Sequence, residues 1–314
     1  MTIQAVAAAY NRHQATIAAR ANARTAAQWA TIDPADISGS WAAGVSPAMV
    51  TTLTAAQQLA AASAPAYVQA ALGAQSVAYD PAATISPAGF SGVAADGRAL
   101  SSLLYLPVIA AKQALAGGIG VDEALAVGGR TLSMLTVTET ADAGRNALQA
   151  QMSATPTVHG YVRMVAGSAC SRCIILAGRW YRYNASFLRH PQCQCTGIPA
   201  AENSKDLRTD PHSFFEHLSP AEQDARFGIA GARAIRDGAD IFQVVNAQRG
   251  LYQTRVFGRD VQATFEGMGR HGVAGKKLAG ATKGLRLTVG QIYADAGEDR
   301  DLALSLLHRY AYIH

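Results

Sequence analysis

All four cysteines of this 314-residue chain fall within one short stretch. They stand as Cys170-Ser-Arg-Cys173 and, further on, as His190-Pro-Gln-Cys193-Gln-Cys195. Two thiols with two residues between them sit on one tight turn, so both can reach the same ion. The second cluster adds an imidazole and two more thiols. Zinc takes four such donors in a tetrahedron, with Zn–S about 2.3 Å and Zn–N about 2.0–2.1 Å. Five candidates compete for four places. The expected set is Cys170, Cys173, Cys193 and Cys195, or the same with His190 in place of one of the last two. Four protein ligands leave no open position, and no glutamate lies near as a general base, so a structural zinc is expected rather than a catalytic one. Two other chemistries draw on the same residues. A redox Cys-x-x-Cys of thioredoxin type wants a βαβ unit, and none reads around it. A pair of disulfides wants an oxidising medium, against the expectation of a cytosolic chain. The stretch 151–200 carries five arginines and no acid, which would lower the thiol pKa values and ease metal loading.

A second concentration of charge runs from Arg249 to Arg286. Arg249, Arg255, Arg259, Arg270, Lys276, Lys277, Lys283 and Arg286 face only Asp260 and Glu266. Residues 1–150 nearly balance, with 7 basic and 8 acidic residues, and the zone lies within 201–314, which carries 15 against 14 in all. A zone of this kind favours an anionic neighbour, either nucleic acid or an acidic protein face. Its bland reading is a solvated surface. Established catalytic signatures are missing. There is no phosphate-binding loop, no GxSxG and no HExxH. Gly117-Gly-Ile-Gly120 has no strand before it and reads as a turn between helices. His159, His212, His217 and His271 are scattered, and Glu216 and Glu222 suit helix capping.

The elements that must position these residues follow from composition and pattern. The chain is 49% hydrophobic with 16% charged residues, below the usual quarter. That provides for packed cores and excludes charge-driven disorder. No window approaches a membrane-spanning length of apolar residues. The N-terminus lacks the three parts of a signal peptide, so the chain is expected to stay in the cytoplasm or to leave by a route that needs no signal. Residues 1–72 are rich in Ala and Gln and read as long amphipathic helices, with starts at Asp33-Pro34 and Ser46-Pro47. Glycines and prolines over 73–95 read as a connection. Helices are expected over 101–115, from Val121 to an end or kink at Gly128-Gly129, and over 131–152. Beyond Pro156, Cys173-Ile-Ile-Leu176 and Trp180-Tyr-Arg-Tyr183 read as short strands or turns. Helices return over 211–217, 221–227, 230–236 and 240–248, then over 288–296 and 300–310. Periodicity does not place 250–286.

The run from Cys170 through His190-Pro-Gln-Cys193-Gln-Cys195-Thr196, followed by Gly197-Ile-Pro, resembles the phage Mu F-like (MuF) minor head protein family. Downstream, Phe215-Glu-His-Leu-Ser-Pro-Ala-Glu-Gln223 with Phe227-Gly228 is similar to that family's aromatic–Leu–Ser-Pro-x-Glu-Gln segment. The run from Ala234 to Asn246 and the tail from Thr288 look like versions from phages of actinobacteria. The resemblance is good over about 150–250 and looser outside. It implies a predominantly helical α+β chain in three parts: an Ala-rich helical docking region over 1–155, a MuF-like domain with the metal knot over 156–248, and a basic C-terminal region over 249–314 ending in two helices. It also implies a minor structural protein inside a tailed-phage head, passing through the host cytoplasm during assembly. Its partners would be the portal protein or the major capsid protein, packaged DNA held without sequence preference, and other copies of itself, with no membrane. The expected work is head morphogenesis, DNA packaging or ejection, and no enzyme chemistry. Two other functions stay open: a capsid maturation protease acting on scaffold or coat, as some actinophage members are labelled, and a non-specific DNA-binding zinc-knuckle protein.

Overall fold

The computed structural model describes residues 1–165, 169–187, 189–193, 195–203, 207, 209–256, 258–269, 271–278 and 284–313. The chain forms two units, one made of Met1–Gly167 with Gly178–Arg208, the other of Ser168–Ala177 with Thr209–His314. Among the described residues helices dominate and two small antiparallel sheets accompany them, which is the α+β, mainly helical class expected. Among the described residues no helix is long and apolar enough to cross a membrane.

The first unit opens with α1 (Ile3–Trp29), capped by the Thr2 hydroxyl on the Ala5 amide. The expected start at Asp33-Pro34 falls three residues late. Asp33 Oδ1 instead accepts from Ala35 N at 2.9 Å, a local turn, and Asp36 caps α2 (Ile37–Ser40) through Gly39 N. An aspartate that can bond two residues ahead favours a turn over a helix start. At Ser46-Pro47 an α-helix does begin, with the proline in its first turn as expected, but Ser46 does not cap it. One π-helical turn (Trp41–Val45) runs straight into α3 (Ser46–Ala62), with Ser46 N donating to Trp41 O five residues back. Proline lacks an amide hydrogen and its ring crowds the carbonyl four residues earlier, and the wider turn absorbs both problems.

There follow α4 (Ala64–Gly73), a 3-10 turn (Pro87–Phe90), α5 (Leu100–Leu103), α6 (Leu106–Ala116) and α7 (Val121–Ser153). The expected end or kink at Gly128-Gly129 is absent, and α7 runs unbroken for 33 residues. The glycines serve packing instead. Trp29 Nε1 donates to Leu125 O at 3.0 Å, and its indole lies so close that a Cβ on Gly128 would fall 2.4 Å from Trp29 Cζ2 and 2.8 Å from Pro107 O. Trp29, Trp41, Met49, Leu53, Leu104, Val108 and Leu132 form the main core, and α1, α3 and α6 pack on α7. A second cluster is made of Ile17, Ala21, Ala56 and Ala60, where small side chains let α1 and α3 approach.

The connection between α4 and α5 is strapped down by buried polar side chains. Gln57 Nε2 donates to Val93 O and its Oε1 accepts from Gly92 N. Gln151 does the same for Ala83 O and Ile85 N, and Glu139 accepts from Ala95 N at 2.8 Å. These satisfy loop backbone that no ladder serves. Burial raises the Glu139 carboxyl above its ordinary pKa.

Strands β1 (Gly160–Met164), β2 (Trp180–Arg182) and β3 (Thr196–Ala200) form an antiparallel sheet in the order β2-β1-β3, with Tyr161 opposite Tyr181 and Pro199. The helices hold it through backbone oxygens. Tyr67 Oη donates to Gly197 O at 3.0 Å and Gln75 Nε2 to Pro199 O at 2.7 Å.

The second unit contains α8 (Ser171–Ile174), α9 (Pro211–Glu216), α10 (Pro220–Phe227), α11 (Ile229–Arg236) and α12 (Ile241–Asn246). A hairpin of β4 (Leu251–Val256) and β5 (Arg259–Thr264) follows, then α13 (Val273–Leu278), α14 (Val289–Ala296) and α15 (Arg300–Arg309). Ser219 and Glu222 make a reciprocal capping box at α10, and Phe227 meets Phe215 edge-on at 5.1 Å. Ile241, Val244, Val245, Ile292 and Leu307 are buried with them. The run Cys173–Leu176, expected as strand or turn, is the end of a helical turn.

Candidate metal centre

Cys170 occupies the N-cap of α8 and Cys173 lies within that turn. Ile174 N donates to Cys170 O at 3.0 Å, which folds the two thiols onto one side, and their sulfurs lie within 4.8 Å of each other. The turn is anchored from below by the fully buried Ile174 and by α12, and Arg226 Nη1 donates to Ala169 O at 3.3 Å just ahead of it. Cys173 is buried and Cys170 half-buried.

The second cluster is built in the first unit, on α7. Arg189 Nε meets Asp142 Oδ1 at 2.6 Å, and the same oxygen meets Arg145 Nη1 at 2.5 Å. Gln192 N donates to Thr138 Oγ1 at 2.9 Å, and Arg145 Nε donates to Cys195 O at 2.8 Å. Three side chains of one helix thus hold the segment at both ends and in the middle. Gln192 takes a positive φ of 61°, and Cys193 N donates to His190 O at 3.2 Å, which closes the turn. Cys193 and Cys195 are both buried, with sulfurs within 4.8 Å of each other. His190 is exposed, and its Nδ1 lies 2.8 Å from Pro191 O. A carbonyl can only accept, so Nδ1 carries the hydrogen and Nε2 is the nitrogen that can offer a lone pair.

None of the four cysteines is in a disulfide. A tetrahedral zinc sets its sulfurs roughly 3.8 Å apart, and each cysteine pair, within 4.8 Å, is close enough to supply half such a site. Thr138, Asp142 and Arg145 escaped the sequence reading. Their only signal was an acid and a base three residues apart on an otherwise Ala-rich, inward-facing stretch of helix. Asp142→Ala would leave two partly buried guanidinium groups without their shared carboxylate. The expected loss is about 2–4 kcal/mol, read by denaturant unfolding, with amide exchange in 189–195 accelerating first. Unchanged exchange there would show that α7 does not hold the segment.

The basic zone looks different in space. Arg249 pairs with Glu266 at 3.5 Å, Arg255 with Asp260 at 3.9 Å and Arg259 with Asp295 at 2.8 Å. Asp295 belongs to α14, beyond the Arg249–Arg286 zone. Lys276 and Lys277 are exposed on α13, and Lys277 Nζ also donates to Ile313 O at 3.0 Å. Arg270 and Lys283 lie outside the described residues. Arg286 must be struck from the surface set because it is 0% exposed. Its guanidinium donates to Tyr310 O, Glu266 O, Ala311 O and Gln243 Oε1 at 3.0–3.2 Å, and stands 4.2 Å over the Tyr312 ring. Burial lowers the Arg286 pKa and pushes the Tyr312 hydroxyl up to about 12. This arginine ties the C-terminal residues to the hairpin.

The family described as VG15 protein matches residues 1–221. No curated protein and no solved structure matches the chain.

Proposed function

Because the chain belongs to the VG15 protein family, a family of phage virion-associated proteins, we propose that it is a minor structural protein of a tailed-phage head. In this reading it sits inside the head beside the portal, contacts portal or major capsid protein, and serves head morphogenesis and the packaging or ejection of DNA. It acts by binding and by position and catalyses no reaction. The family match over residues 1–221 carries the proposal. The MuF-like arrangement of Cys170, Cys173, His190, Cys193 and Cys195 supports it, as does the Ala-rich helical region, whose small side chains bury little area per residue and leave room to complete that burial on a partner.

A structural zinc belongs to this reading, held by the four cysteines or with His190 replacing Cys193 or Cys195. When bound, it would close the loop between Cys173 and Cys193 and add its binding free energy to folding. The chain's own part is to present thiolates. The turn of α8 orients Cys170 and Cys173, and the α7 side chains Thr138, Asp142 and Arg145 steady the other two.

Placement is tested by electron microscopy of purified heads in which this chain carries a fused electron-dense tag, which needs no probe to enter the shell. Tag density at a single vertex is the expected result. Tag density spread over the whole shell would overturn the portal-proximal position. The DNA contact makes its own prediction. With Arg286 buried and three arginines sharing carboxylates, about four phosphate contacts would give roughly a hundredfold loss of affinity between about 50 and 200 mM salt. Lys276→Ala with Lys277→Ala should flatten that slope. Affinity indifferent to salt would remove packaged DNA from the partners.

A further inference from the structure

The hairpin leaves one side of β4 open. On the far side of β5 the backbone is already used: Thr264 N donates to Arg286 O at 2.9 Å and Thr288 N to Gln262 O at 3.0 Å. Gln262 and Thr264 therefore turn their backbone groups away from β4. Antiparallel ladders alternate bonded and non-bonded pairs. In the observed register, Tyr252 opposite Ala263, Thr254 opposite Val261 and Val256 opposite Arg259 are the bonded pairs. The amides and carbonyls of Leu251, Gln253 and Arg255 consequently point outward. Among the described residues no other strand pairs with β4.

Natural edge strands are shielded by proline, lysine, a bulge or a cover. β4 has no proline and no lysine, and its register with β5 runs without a bulge over all six residues. Its outward-facing side chains are exposed, Leu251 by 50%. Its one charge is Arg255, near the turn.

We infer that β4 pairs with β4 of a second copy of this chain, antiparallel about a two-fold axis at Gln253. The register is dictated by the residues. Centred there, all three outward residues find partners: Gln253 meets the partner's Gln253, and Leu251 meets the partner's Arg255 in both directions. Leu251 then lies along an arginine stem and no like charges oppose each other. Centred on Arg255 instead, the strands would set arginine against arginine, and centred on Leu251 they would leave most of the edge unused. The same pairing puts Tyr252 opposite the partner's Thr254 on the other face. Such an isologous contact closes on itself. It is small, so it is weak in dilute solution and gains from copies held side by side. The inference stands on the hairpin and does not depend on the role proposed above.

Sedimentation velocity of the full chain over a concentration series tests it. The wild type should dimerise reversibly as concentration rises. Gln253→Pro removes an outward amide and none of the bonds between β4 and β5. It should weaken the dimer by about tenfold or more with little change in melting temperature. Leu251→Lys should weaken it as well, by facing the partner's Arg255, and adding Arg255→Glu should restore it. That rescue belongs to this register alone and does not rely on the proline variant folding. A wild type that stays monomeric throughout, a dimer untouched by Gln253→Pro, or a lysine variant that the glutamate fails to rescue would overturn the proposal. A monomer in solution whose Gln253→Pro form drops out of assembled heads would overturn it too, by assigning the edge to another chain's strand.

Discussion

Cys193→Ser is expected to remove the metal from the purified protein and to cost several kcal/mol of stability, and a chelator added to the wild type should do the same. The reasoning starts from burial. Cys193 and Cys195 are almost fully enclosed, 4% and 2% exposed. A buried thiol with no metal behaves as a small apolar side chain, and exchanging it for alanine would cost only about 1 kcal/mol. As zinc ligands the same residues would carry binding energy that is folding energy, about 10–16 kcal/mol for whole structural sites in small peptides. The alanine and serine variants at Cys193 therefore separate the two cases by magnitude. His190→Ala provides the contrast. His190 is exposed, so if the four thiolates are the set, its loss should leave about one zinc per chain and change stability little. Freshly reduced protein without metal, with the same melting temperature in chelator, would show that the cysteines are packing residues.

Gly128→Ala should be the most damaging single methyl in the helical region. In an open helix the change would stabilise by about 1 kcal/mol, because alanine is the better helix former. Here the new Cβ meets Trp29 Cζ2 at 2.4 Å and Pro107 O at 2.8 Å. The indole is held by its bond to Leu125 O, and a backbone oxygen cannot turn aside. Overpacking of this kind costs about 1–3 kcal/mol, more where backbone must shift, so a net loss of about 2 kcal/mol is expected in denaturant titration. Gly129→Ala is the control, since its nearest neighbours lie at 3.5 Å, and it should be neutral or stabilising. Equal effects at both positions would refute the packing role of Gly128.

These two sites show what the amino-acid sequence made legible. Clustering of the cysteines pointed to a metal because ligand spacing is a local property. Helices α10, α14 and α15 were readable because Ser219, Thr288 and Asp299 cap them through amides three residues ahead. Features set by distant partners were not readable. A Gly-Gly pair carries the same local signal whether it ends a helix or admits a tryptophan from 99 positions away. The eight basic residues of 249–286 looked like one anionic-ligand surface, yet Arg259 takes its counter-ion from α14 and Arg286 folds inward onto carbonyls. The hairpin was missed for a related reason. Its outward row of Leu251, Gln253 and Arg255 mixes apolar and polar residues, so no alternation stands out.

The central claim, a few-copy structural component of the phage head, is tested most directly by quantitative mass spectrometry of purified particles. The account predicts this chain at a small fixed number per head, intact, and at the same number in particles before and after coat maturation. Its absence from purified heads, or coat and scaffold left uncleaved in particles lacking it, would contradict the account and favour an assembly protease.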